Sequence, residues 1–118
     1  MIDRLLLILA LLLVVLTGYS KELDYSIPHC RDVLGGQAEY ILPDKTRVDC
    51  LTDEVAWEYG FGKKWYEDVG QALYYAMWTG REGGVVLILA PDEMRFYDRA
   101  QRTVKHYGLP IRVIWIPK

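Results

Sequence analysis

The chain has 118 residues and a formal net charge of −2, with 52% hydrophobic and 25% charged residues. That length suits one domain rather than two, and the apolar content excludes a disordered polyelectrolyte. The mild acidity excludes a general nucleic-acid coat, whose surface would be strongly basic, but leaves room for a local site where a metal ion meets phosphate.

Residues 1–20 read MIDRLLLILALLLVVLTGYS, and every position from Leu5 to Leu16 is apolar. That run is too short to cross a hydrocarbon core of about 30 Å. Arg4 precedes it, and the small residues Gly18 and Ser20 follow, the layout of a secretory signal peptide cleaved after Ser20. The expected location is periplasmic or secreted, with no stable membrane association once the leader is gone. A leader left uncleaved would act as an anchor instead. Tyr19 stands where a lipidated cysteine would have to be, which argues against a lipoprotein. Removing residues 1–20 takes Asp3 and Arg4 together, so the net charge stays at −2.

Residues 21–36 contain Pro28, Gly35 and Gly36 and read as an irregular lead-in. The two cysteines, Cys30 and Cys50, both lie in the exported part and are expected to form a disulfide. Residues 37–118 read as one α/β domain. A short strand at 39–42 is followed by turn residues Pro43 to Thr46, a second strand at 47–51, a turn at 52–54 and a third strand at 55–61. The pattern then changes period. Trp65, Val69, Leu73 and Ala76 fall at helical spacing until Gly80 stops the helix. An unbroken apolar run at 85–90 marks a strand covered on both faces. A second helix over 93–107 ends at Gly108, and a last strand follows at 111–116. The fold class is mixed α/β: a three-stranded antiparallel meander, then helix-strand-helix-strand, giving a mixed central sheet with flanking helices. Tyr74, Trp78 and Trp115 are expected in the core.

The second and third strands each carry one acid, Asp49 and Glu58. Only five residues separate Leu51 from Trp57, so the strands can pair closely and bring both acids to a common face. Like charges there repel unless a cation lies between them. Mg²⁺ is held by one or two carboxylates together with waters and phosphate oxygens, which makes Mg²⁺ or Mn²⁺ the expected cofactor. Lys63 and Lys64 open the following helix, within reach of the end of the third strand, where a cation can stabilise charge on a phosphate. Gln71 and Tyr75 are four residues apart and share a helix face beside the acids. Glu39, on the first strand, is a third acid within reach.

RVDCLT followed by WEYGFGKKW and GQALYYAMWTG resembles the PD-(D/E)XK, or restriction-endonuclease-like, nuclease superfamily, in particular small exported bacterial and phage members. The resemblance implies Asp49 and Glu58 as catalytic metal ligands, and Gln71 with Tyr75 as a substrate-binding QxxxY helix signature. It also implies metal-dependent hydrolysis of nucleic-acid phosphodiesters outside the cytoplasm, with incoming or extracellular DNA as substrate. The superfamily places Lys two residues after the Glu, and here that position is Gly60. Lys64 on the next helix is the expected substitute, with Lys63 beside it. The alternative is a catalytically inactive periplasmic binding or interaction module on a nuclease-like scaffold. Oligomeric state is left open.

Overall fold

A computed structural model of the chain describes residues 3, 4, 6 and 21–118. The leader expected over 1–20 otherwise lies outside the described residues. Five strands form one sheet in the order of the chain: β1 (Gln37–Ile41), β2 (Arg47–Leu51), β3 (Val55–Phe61), β4 (Glu82–Leu89) and β5 (Ile111–Pro117). The β1–β2 and β2–β3 pairs are antiparallel, while β3–β4 and β4–β5 are parallel. Three helices flank the sheet: α1 over 21–29, α2 (Trp65–Thr79) and α3 (Met94–Tyr107). The mixed α/β reading therefore holds.

The parallel pairs need crossover connections, and right-handed crossovers advancing in one direction put both helices on one face. Accordingly Val69 and Ala72 of α2 and Phe96, Ala100 and Val104 of α3 pack with Val85, Leu87 and Leu89 of β4. The opposite face carries Trp57, Tyr59 and Val86, covered by Cys30 and Leu34 at the end of α1. Strand β4 is thus buried on both sides, as its apolar run requires. It also begins earlier than the run suggested. Gly83 and Gly84 lie inside the strand: a Cβ on Gly83 would sit 2.9 Å from the Ala72 carbonyl oxygen, and one on Gly84 would overlap the Trp57 ring. Glycine there marks close approach of neighbours rather than a turn.

The segment 21–36 is a correction. It is helical over 21–29 and continues as a π-helical turn, Cys30–Leu34, ended by Gly35 at φ 67°. Leu23, Ser26, Ile27 and Cys30 recur at helical spacing and are partly or fully buried, and Pro28 does not break the helix, which runs on until Gly35 ends it. Tertiary contacts hold it down. Cys30 and Cys50 form the expected disulfide, with Cα atoms 5.6 Å apart, and Nδ1 of His29 shares a 2.6 Å hydrogen bond with the Tyr59 hydroxyl. Tyr74, Trp78 and Trp115 are corrected too, for all three are exposed. The Trp78 Nε1–H donates to the Tyr74 hydroxyl at 2.7 Å, and that hydroxyl donates to Asp44, so their polar ends are satisfied at the surface. A disulfide fits a protein outside the cytoplasm. Among the described residues no helix is long and apolar enough to cross a membrane.

The bridge spans a sequence separation of 20 residues and fastens α1 to β2. Reducing it is expected to lower the unfolding free energy by about 3 kcal/mol, read from urea denaturation with and without reductant.

Candidate functional site

Strands β2 and β3 pair at only two positions, Cys50↔Trp57 and Leu51↔Ala56, although β3 runs on to Phe61. Beyond them the ladder opens, and two carboxyl groups take over its hydrogen bonds. Asp49 Oδ2 accepts from the Tyr59 N–H at 2.8 Å, and Glu58 Oε1 accepts from the Asp49 N–H at 3.3 Å. Each acid thereby satisfies the backbone of the strand facing it.

Glu58 is only 4% exposed. Burial, reinforced by the neighbouring Asp49 charge, pushes its carboxyl up to about 10. Burial also raises Asp49, against the lowering effect of the Tyr59 N–H. Burial and the closeness of two like charges thus favour the protonated form of Glu58.

A third carboxyl comes from α2. Asp68 is 5% exposed, and among the described residues its Oδ2 has no hydrogen-bond partner. Burial, then the charges of Glu22, Asp49 and Glu67, push it up to about 7. Its carboxylate lies directly over Gly60, so a Cβ at that position would overlap Oδ2. Asp68 thus fills the volume into which a side chain at 60 would project. From α1 comes Glu22, raised by its own burial and by Asp49 but lowered by Lys64.

These groups line one cleft of about 390 Å³, with Glu22, Asp49, Glu58, Glu67 and Asp68 as its acids and Arg47, Lys64, Gln71 and Tyr75 as its other polar walls. The geometry brings together Asp49, Glu58, Lys64, Gln71 and Tyr75. It leaves two expected residues outside. Lys63 is exposed and is not among the residues that line the cleft, whereas Lys64, exposed as well, is. Glu39 pairs with Arg47 instead, and only its charge reaches Asp49.

Glu22, Glu67 and Asp68 are cleft acids that the sequence reading missed. Asp68 was legible: it stands three residues before Gln71 and seven before Tyr75, on the same helix face. Glu22 was not, because contacts distant in sequence hold the helix that carries it.

Among the described residues no three His, Cys, Asp or Glu side chains form a ready-made metal cage. Mg²⁺ does not require one, because it retains several waters beside one or two carboxylates. The hard oxygens of Asp49 and Glu58, with the unpartnered Asp68 oxygen near by, suit such an ion.

Neither family models, nor curated proteins, nor solved structures match this chain. What the cleft does must be read from its own chemistry.

Two outcomes are expected. Gly60→Ala should destabilise the fold by about 1–3 kcal/mol through overpacking against Asp68, and an Asp68→Ala background should relieve most of that loss in a double-mutant cycle. The second concerns pH. Asp68 and Glu58 ordinarily titrate at 3.8 and 4.5, and folding raises both, to about 7 and about 10. Above the ordinary values the folded chain keeps protons that the unfolded chain has released, so stability falls as pH rises through this window. In metal-free buffer the melting temperature should therefore decline from about pH 5 to about pH 9, and Glu58→Gln should flatten the alkaline part of that decline.

Proposed function

We propose that the cleft hydrolyses nucleic-acid phosphodiesters with the help of Mg²⁺ or Mn²⁺, outside the cytoplasm, in the manner of PD-(D/E)XK nucleases. The observation that carries this reading is the meeting of Asp49 and Glu58 where β2 and β3 part, two acids that each accept a backbone N–H of the facing strand. Buried like charges tolerate each other only when protonated or bridged, and a divalent cation can take the proton's place.

Asp49 and Glu58 would hold the ion, which supplies charge neutralisation at the phosphate and an activated water. The other contributions come from the chain itself. Lys64 brings an ammonium group to the wall of the cleft, where it balances negative charge building on the phosphate oxygens. Gln71 and Tyr75 present polar groups on one face of α2 and orient the nucleic-acid backbone along it. Position 60 cannot carry a lysine while Asp68 occupies that space, so the cation comes instead from Lys64, in the turn before α2. In the overall reaction water adds to phosphorus, the phosphorus–oxygen bond to the leaving nucleotide breaks, and that oxygen takes up a proton.

Gly60 also favours a second reading, a binding or interaction module whose acids only clip two strands together. The readings part on metal. Calorimetric titration of Mn²⁺ at neutral pH is expected to show binding that Glu58→Ala abolishes, with release of about one proton per ion, seen as dependence of the heat on buffer ionisation enthalpy. With nucleic acid supplied, Asp49→Ala should cut cleavage by about a hundredfold or more. A chain that neither binds Mn²⁺ nor cleaves DNA or RNA would leave the module reading in place.

A further inference from the structure

A second groove lies beside the acid cleft and has the opposite character. It encloses about 410 Å³ and is lined by Trp65 at the start of α2 and by Arg99, Arg102, Thr103, His106 and Tyr107 of α3. None of these lining residues is acidic. Arg99, Arg102, Thr103 and His106 follow one another at spacings of three, one and three, which places them on a single helix face. Lys64 lines the acid cleft and the next residue, Trp65, lines the groove, so the two sites adjoin.

We infer that this groove binds single-stranded nucleic acid and leads it toward the acid cleft. The ligand follows from two features together. Two guanidinium groups on one face suit successive phosphates, as Arg presents a planar fork that matches phosphate oxygens. Both are open to solvent, and among the described residues their side chains make weak contacts: Arg99 stands over the Phe96 ring at 5.6 Å, and Arg102 reaches Asp98 at 3.4 Å. Such an exposed pair is worth little and yields readily to a phosphate.

Aromatic rings supply the second feature. Tyr107 is 71% exposed at one end of the groove, and the half-buried Trp65 stands in the wall, braced edge-on by Tyr66 with ring centroids 5.6 Å apart. Cations and ring faces in one groove accept the backbone and the unstacked bases of a single strand, whereas a duplex keeps its base faces covered. The two sites differ in charge: five acids with Arg47 and Lys64 line the cleft, whereas two arginines and no acid line the groove.

The direction of the strand rests on the proposed phosphodiester reading, but binding in the groove does not. The test is therefore made in EDTA, by fluorescence anisotropy of a fluorescein-labelled oligothymidylate with the full chain. Arg99→Ala with Arg102→Ala is expected to weaken binding by about tenfold or more and to lower the salt slope by about 1.4, from two phosphate contacts. Tyr107→Ala should weaken it by about fivefold or more through lost stacking. All three substituted side chains are exposed, so unchanged melting temperatures are expected to accompany these losses. Binding by the parent chain that both variants retain, equal binding of a duplex, or no binding at all would each overturn the inference. Failure of Mn²⁺ binding or of cleavage would count against the acid cleft alone.

Discussion

Two buried carboxyl groups hold β2 and β3 together where the backbone ladder gives out, and the site takes its character from that constraint. An ordinary ladder would have placed N–H and C=O groups opposite each other and closed the gap. Asp49 and Glu58 instead reach across it and accept the N–H groups of the opposing strand. The strands can therefore diverge without leaving those donors unmet, and a polar cleft opens between them. The same arrangement forces acids into a place where water no longer shields them. Burial disfavours their charged forms and raises the titration of Asp49, Glu58 and Asp68 alike.

The walls of the cleft depend on two further restraints. The Cys30–Cys50 bridge fixes the end of α1 one residue from Asp49, and Glu22 enters from the same helix. On the other side α2 sits close enough to β3 for Asp68 to lie over Gly60. A larger residue at 60 and a carboxylate at 68 exclude each other. The space that a longer side chain at position 60 would need is thus filled by an acid from the next helix. The positive charge that faces these acids comes from Lys64, at the junction of β3 and α2.

The molecule is thus polarised by position rather than by total charge. Protonated or ionised carboxyls gather at the opening of β2 and β3, and arginines with aromatic rings gather along α3. A polyanion reaching the acid site unaided would be repelled, while one held first on the basic groove would arrive with part of its charge already balanced. The proposed chemistry and the inferred groove fit together on this ground.

The order of elements was legible in the sequence because it depends on local periodicity. β2 and β3 begin and end where alternation and turn residues put them, and the short connection between Leu51 and Val55 was enough to bring Asp49 and Glu58 to facing positions. Lys64, Gln71 and Tyr75 reach the cleft for a similarly local reason, their fixed spacing along one helix start and face. The sequence by itself determined these pairings, since each follows from spacing within one element or one tight turn. Only the tertiary structure decided the rest. Residues 21–29 are helical because a distant cysteine and tyrosine hold them against the sheet, and no local pattern outweighs Pro28 and the glycines in advance. Gly83 and Gly84 belong to β4 because α2 and Trp57 press on them. Glu58 keeps its proton, and Asp68 lies over Gly60, because of what packs around them. Burial and overlap are properties of several chain segments at once, and no single segment carries them.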